Sequence, residues 1–264
     1  LRTYKATVEY DGTDFAGFQW QHGTRTVQGV LETALAERVG LAARVTGAGR
    51  TDAGVHALGQ VVSFACETRI PVERLALALN GALPHDISVR CVEEVEAEFS
   101  ARFSASSRLY AYLILNRRMR SALWNRYSAL CIEPLDIGAM RAAAAYLPGE
   151  RDFASFTNEL QPGQTTMREV MRCRIGRARD LVIVRIEANA FLRGMVRNLV
   201  GTLMEVGAGR RAPEAVPAIL DARDRRQAGP TAPPQGLCLL KVRYGPRRSY
   251  ARPQPVAETG HGIG

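Results

Sequence analysis

The sequence predicts an α+β protein made of two ferredoxin-like βαββαβ halves with antiparallel or mixed sheets. Three observations carry this. Short stretches of period-two alternation are interleaved with apolar stripes of helical period. The order strand-helix-strand-strand-helix-strand runs once over residues 1–105 and again, with one added helix, over 106–245. The 264 residues are 46% hydrophobic, ample for one large core or two smaller ones.

Thr3–Tyr10 alternates, with Tyr4, Ala6, Val8 and Tyr10 on one face, and reads as a strand. A Gly-rich connector, Asp11–Thr26, leads to a helix marked by Val27, Val30, Leu31, Ala34, Leu35 and Val39, with Thr26 as N-cap. Arg44–Ala48 and Leu58–Cys66 read as strands. Pro71 opens a second helix that Leu75, Leu79 and Leu83 continue, and Ile87–Val95 closes the half as a strand. In the second half Arg108–Asn116 is a strand and Asp136–Leu147 a helix capped by Asp136. Met167–Arg177 and Asp180–Ala188 are paired strands. Phe191–Val206 is a long apolar helix, Ala212–Arg223 a shorter one, and Leu237–Tyr244 the last strand. The two sheets either join or face each other across a cleft. The segment 246–264 has Pro and Gly without apolar periodicity and is expected to be disordered.

No run of 18 apolar residues indicates a membrane span. The first residues enter the strand pattern directly, with no apolar leader, so the expected address is the cytoplasm. Cys66, Cys91, Cys131, Cys173 and Cys238 are widely spaced without CxxC, which reads as buried small hydrophobes rather than a disulfide or zinc framework. His22, His56, His85 and His261 form no metal-binding pair. Net charge is +9, and Lys occurs only at Lys5 and Lys241, the remaining basic residues being Arg. Arg forks suit phosphates and stacked bases, so a polyanionic partner is expected.

The most unusual segment is Gly47-Ala48-Gly49-Arg50-Thr51-Asp52-Ala53-Gly54-Val55-His56, between two predicted strands. A dinucleotide fingerprint needs glycine where Asp52 stands, and a helix to follow. A phosphate loop needs Lys then Ser or Thr after Gly54, where Val55-His56 stand. Two readings stay open. Asp52 caps a tight Gly-rich hairpin, or Asp52, with Arg50 and His56 beside it in an exposed stretch, is a catalytic group on a loop. In Phe191–Asn198, Phe191, Met195 and Leu199 share one helical face, with Arg193 and Arg197 four apart on a neighbouring one. Tyr110 sits on a strand, where aromatics commonly pack half-buried.

Taken together these segments resemble the tRNA pseudouridine synthase A family. Gly47–His56 is similar to the signature around that family's catalytic Asp. Tyr10-Asp11-Gly12-Thr13-x-Phe15-x-Gly17-Phe18-Gln19, Phe99-x-Ala101-Arg102-Phe103, Ser107-Arg108-x-Tyr110-x-Tyr112, Phe191-Leu192-x-x-Met195-Val196-Arg197 and Ala232-Pro233-Pro234-x-Gly236-Leu237 follow in the family's order. The resemblance implies a pseudouridine synthase fold around a basic central cleft. It implies Asp52 as the essential carboxylate, Tyr110 as the ring that stacks on the target uracil, and Arg197 as the basic partner of Asp52. Leu237 becomes an apolar wall of the pocket, and Arg50 takes the space of the flipped base. It places tRNA contacts at Phe99, Ser100, Ala101, Arg102 and Phe103, and at Leu160, Gln161, Pro162, Gly163 and Gln164. It further implies a homodimer acting on uridines 38, 39 and 40 of the anticodon stem-loop by base flipping.

Isomerising uridine breaks the N1–C1′ bond, turns the uracil and rejoins it through C5. No atoms are lost and no redox change occurs, so neither a cofactor nor a metal is expected. One carboxylate serves by attacking the sugar or the base, or by assisting proton removal from the sugar; the sequence leaves these routes open. Arg197 would offset the desolvation that pushes a carboxyl pKa upward. The competing readings are a non-catalytic RNA-binding protein, which has no use for Asp52, a synthase acting on another RNA position, and, more distantly, a nicotinamide oxidoreductase.

Overall fold

The computed structural model describes residues 1–40, 43–160 and 163–246. Gln161, Pro162 and the segment 247–264 lie outside the described residues. The first half contains β1 (Arg2–Tyr10), α1 (Val27–Val39), β2 (Thr46–Gly47), β3 (His56–Cys66), α2 (Val72–Asn80) and β4 (Ile87–Val95). The second contains β5 (Ala105–Asn116), β6 (Ala129–Cys131), α3 (Ile137–Ala144), β7 (Gly149–Asp152), β8 (Met167–Ala178), β9 (Leu181–Ala188), α4 (Met195–Gly207), α5 (Ala215–Ala222) and β10 (Leu237–Tyr244).

All ten strands form one sheet in the order β4-β1-β3-β10-β5-β9-β8-β7, with β2 on β3 and β6 on β5. Each half carries the ferredoxin-like order. In the first, the last strand and the third flank β1, and β2 lies outermost. In the second, β10 and β9 flank β5, with β8 beyond. The sheets therefore join. The seam is short and parallel, Cys238 opposite His56 and Leu239 opposite Ala57, while β10 runs antiparallel along β5 from Leu237 to Tyr244.

Local chemistry explains the elements. Tyr4, Ala6, Val8 and Tyr10 are buried on one face of β1. Ala6, with its cross-strand neighbour Val62 and with Phe64 on β3, faces Leu31 and Leu35 of α1 and Leu79 of α2. Thr26 caps α1, its Oγ accepting from the Gly29 N–H at 3.2 Å, and Asp136 caps α3 by accepting from Ala139 at 3.0 Å. α4 is the most buried helix, with Met195, Leu199, Val200 and Leu203 all in the core.

Several expectations are corrected. The strand expected over Arg44–Ala48 shrinks to Thr46–Gly47, because the Val45 N–H is taken by the Glu32 side chain of α1 at 3.0 Å and not by β3, and the chain turns into the loop after Ala48. The helix expected from Phe191 starts only at Met195, because Gly194 takes φ +72°, a conformation that ends regular backbone. Phe191 and Arg193 thus precede α4, and the shared helical faces proposed for them dissolve. Strands β6 and β7 carry no apolar alternation and went unanticipated. Of the cysteines only Cys66 is buried; Cys91 is exposed and the other three are intermediate. Cys91 stands opposite Thr7, on the face of β1 away from Ala6 and Val8.

Among the described residues no helix is long and apolar enough to cross a membrane, and no group of three His, Cys, Asp or Glu side chains is placed to hold a metal ion.

Candidate active site

The loop between β2 and β3 carries Asp52, and it is held from below by buried polar groups. Tyr10 Oη and Thr51 Oγ lie 2.8 Å apart, Gln60 Nε2 donates to the Gly49 carbonyl at 2.8 Å, and the Ala48 N–H donates to the Val61 carbonyl at 2.8 Å. The connector after β1 packs along the loop. Phe18 N–H donates to the Thr51 carbonyl at 3.0 Å, and a Cβ on Gly12 would sit 2.0 Å from the Val55 carbonyl oxygen. Only glycine permits that approach, which gives the Asp11-Gly12 pair a physical reason.

The pairing that defines the site spans 145 residues of chain: Arg197 Nη1 donates to Asp52 Oδ2 at 2.9 Å. The Asp52 side chain is 32% exposed and that of Arg197 18%. The carboxylate is thus charge-paired yet open to a substrate. Arg197 stands in the first turn of α4, where the helix dipole adds to its charge in favouring an anion. Its Nε donates to the Ala232 carbonyl at 2.8 Å, and the Ala232 N–H returns a bond to the Arg197 carbonyl at 3.1 Å. Tyr112 Oη donates to the Pro233 carbonyl at 2.7 Å. A Cβ on Gly54 would meet the Pro234 ring at 3.1 Å, so the Ala232–Leu237 stretch forms the wall that joins loop and helix.

Tyr110 lies beneath, on β5. Its ring meets Phe191 edge-to-face at 5.2 Å, and its hydroxyl lies 3.6 Å from where a Cβ on Gly49 would stand. Burial, with the charges of nearby groups including Asp52, pushes the phenol pKa far above its ordinary value, so the hydroxyl stays protonated. Leu237 is buried at the head of β10, opposite Tyr112. Arg50 is exposed two residues before Asp52. The fold therefore gathers Asp52, Tyr110 and Arg197, with Leu237 in the adjoining wall and Arg50 at the rim.

The more distant segments divide. Ala101 is fully buried, its N–H donating to Ser63 Oγ at 3.0 Å and its carbonyl accepting from Tyr244 Oη at 2.9 Å. Phe99 packs on Tyr244 at 5.1 Å, and Ser100 is intermediate in exposure. Arg102 and Phe103 are exposed, with the guanidinium 5.3 Å from the ring centroid. Leu160, Gly163 and Gln164 are exposed. The nearby Glu159 pairs with Arg193, at the turn that starts α4.

His56, expected as an exposed group beside Asp52, is buried instead. Its Nδ1 accepts from the Gly12 N–H at 3.0 Å and lies 3.1 Å from Asp11 Oδ1. Its Nε2 is 2.8 Å from the Arg126 carbonyl, and its ring meets Tyr127 at 5.2 Å. Asp11 in turn accepts from Tyr127 Oη at 3.0 Å. Burial raises the Asp11 pKa, but the bonds from Thr13 and Tyr127 outweigh it and hold the carboxyl below its ordinary range. His56 is a clasp between the two halves. Sequence reasoning also missed Asn198, fully buried one residue after Arg197. Its amide donates to the Phe156 carbonyl at 2.9 Å and accepts from Thr231 Oγ at 2.6 Å. A polar residue amid the apolar run of α4 is the one signal that pointed to it.

The profile of the family described as "tRNA pseudouridine synthase" matches residues 6–104 and 143–245. A tRNA pseudouridine synthase A from Methylococcus capsulatus is 48% identical over 93% of this chain and 90% of its own length. One from Moorella thermoacetica is 47% identical over 91% of this chain and 98% of its own, and one from Caldicellulosiruptor saccharolyticus 41% identical over 92% and 100%. Among solved structures, an H/ACA RNP bound to a substrate RNA containing 2′-deoxyuridine matches at 12% identity and a TM-score of 0.37, over 76% of this chain and 44% of that one. The matched segments include the loop of Asp52, the strand of Tyr110 lies between them, and the helix of Arg197 closes the set: the chain belongs to the tRNA pseudouridine synthase family.

Proposed function

We propose that this chain isomerises uridine to pseudouridine at positions 38, 39 and 40 of the tRNA anticodon stem-loop, with Asp52 as the catalytic carboxylate. The observation that carries the reading is the 2.9 Å pair between Asp52 and Arg197, one charge from each half, beside the Tyr110 ring. A protein that only bound RNA would gain nothing from a partly exposed carboxylate facing phosphates.

The target uracil leaves its stack to reach Asp52, at a cost of a few kcal/mol. Stacking on Tyr110 returns about 1–3 kcal/mol. Arg50, exposed at the rim, fills the vacated space. Leu237 walls the pocket. The halves 1–105 and 106–245 hold the RNA between them, with contacts from residues 99–103 and 160–164. Phosphate and shape recognition by the Arg-rich surface suits several adjacent targets better than base reading does. The protein acts as a cytoplasmic homodimer, in which a groove shared by two protomers spans an L-shaped tRNA.

Incubation with unmodified tRNA, followed by chemical mapping of pseudouridine, tests the reading. Product at 38, 39 and 40 is expected; product confined to other positions, or none, contradicts it. Sedimentation of the protein alone tests the dimer.

A further inference from the structure

The Ser107-Arg108-x-Tyr110 stretch contains a charged residue that the site does not otherwise use. Arg108 is buried, 8% exposed. All five of its N–H donors are engaged, and every acceptor is a backbone carbonyl. Nε and Nη2 donate to Ala48 at 3.1 and 2.8 Å, and Nη2 also donates to Arg102 at 2.6 Å. Nη1 donates to Ala105 at 3.2 Å and to Asn189 at 2.7 Å. No carboxylate among the described residues pairs with it. A buried cation neutralised only by dipoles is costly to maintain.

Its acceptors identify what the cost secures. Ala48 lies four residues before Asp52. Arg102 and Ala105 lie in and just after the 99–103 segment, whose Arg102 and Phe103 side chains are exposed. Asn189 opens the turn that leads to Gly194 and then to Arg197 on α4. One planar fork therefore ties together the Asp52 loop, a flank of the cleft and the approach to the helix that supplies the counter-charge. Two of the five bonds converge on the loop itself. Tyr110 is two residues along the same strand, so Arg108 and the stacking ring point to the same face of β5.

We propose that Arg108 is a positioning residue: it sets the Asp52 loop in register with Arg197 and Tyr110, and touches no substrate. The inference rests on Asp52 being the catalytic carboxylate. Lysine cannot replace it, since a point ammonium has three donors and no fork with which to span four carbonyls. A displacement of the loop by an ångström misaligns the carboxylate, an error that costs about 100-fold in rate when reacting groups are held by fit.

The test compares wild type, Arg108→Lys, Arg108→Ala and Asp52→Asn by single-turnover pseudouridine formation at saturating tRNA, equilibrium tRNA binding and thermal melting. Arg108→Lys is expected to fold, to bind tRNA within about threefold of wild type, and to react about 100-fold more slowly. Millimolar methylguanidinium is expected to recover part of the rate of Arg108→Ala without changing Asp52→Asn. A folded Arg108→Lys with a wild-type rate overturns the proposal. So does a rate loss accounted for entirely by the unfolded fraction, or a loss in binding alone. If Arg108→Lys aggregates, the methylguanidinium arm decides, absence of recovery counting against the proposal. Wild-type rates in Asp52→Asn would instead overturn the catalytic reading itself, whatever Arg108 does.

Discussion

The two halves share one topology and differ where the chemistry lies. In the first, the strands β2 and β3 are joined by Ala48–Val55, a long loop that carries Asp52. In the second, the corresponding β8 and β9 are joined by a two-residue turn, Arg179-Asp180, with Arg179 at φ +54°. The helices that follow β3 and β9 diverge in the opposite sense. α4 presents Arg197 at its third position to a carboxylate of the other half. α2 presents Arg74 at its third position to solvent. The repeated scaffold thus supplies rigidity and the departures from the repeat supply function. Each half contributes one charge, and the site exists only where β10 and the Ala232–Leu237 wall bring them together.

Arg197→Ala is expected to produce the largest loss short of removing the carboxylate, about 100- to 1,000-fold in kcat, with a smaller change in tRNA affinity. Normal turnover with weakened binding would reassign Arg197 to holding RNA. Next comes Tyr110. Replacing the ring with Ala should cost about 10- to 100-fold in kcat/KM, the equivalent of one lost base stack, while Phe should lose less. Equal losses in both variants would transfer the role from ring to hydroxyl.

A third variant probes the scaffold of the second half alone. Glu187 is fully buried; its Oε1 accepts from Ser107 Oγ at 2.7 Å and Arg243 Nε at 2.8 Å, and its Oε2 is ion-paired with Arg172 Nη2 at 2.7 Å. Burial pushes its pKa up, but the Ser107 and Arg243 bonds and the two guanidinium charges prevail and hold it below the ordinary value. A carboxyl depressed in the folded state stabilises above its unfolded pKa, and that contribution fades as pH falls through the folded one. Glu187→Gln should therefore lose about 1.5–3 kcal/mol in denaturant unfolding at pH 7, and the gap to wild type should narrow in acid. A gap constant down to low pH would show that shape, not charge, matters there. The smallest effect is expected at Arg74. Arg74→Ala should change turnover less than about twofold and stability by less than about 0.5 kcal/mol. A large loss would break the contrast between the two helices.

Much of this was legible because alternation and stripes are local. β1, β3, β4, β5, β8, β9 and β10 follow from their own residues, as do the caps at Thr26 and Asp136. The split βαβ order followed from these. What escaped was non-local or irregular. β7, Gly-Glu-Arg-Asp, has no apolar face and exists through main-chain pairing with β8. The start of α4 is hidden because Phe191, Met195 and Leu199 imitate a helical stripe across a left-handed glycine, Gly194. The seam between β3 and β10 involves two residue pairs from distant parts of the chain, and no local pattern encodes it. At the site, Asp52, Tyr110 and Arg197 were singled out by motif. The supporting roles are not legible there: Tyr10 and Arg108 fall inside the motif stretches but, like Gln60, have the look of ordinary strand residues until their partners are in view. His56 is hidden for the same reason: a histidine beside glycines suggests exposure, whereas the clasp with Asp11 and Tyr127 buries it.

The most direct test of the account is Asp52→Asn, assayed in parallel for pseudouridine formation and for tRNA binding. The side chain keeps its size and can still accept a bond from Arg197, but it loses the charge. Product formation should fall by at least about 1,000-fold while the dissociation constant for tRNA changes little. An asparagine variant that still forms pseudouridine at a rate near wild type would contradict the account.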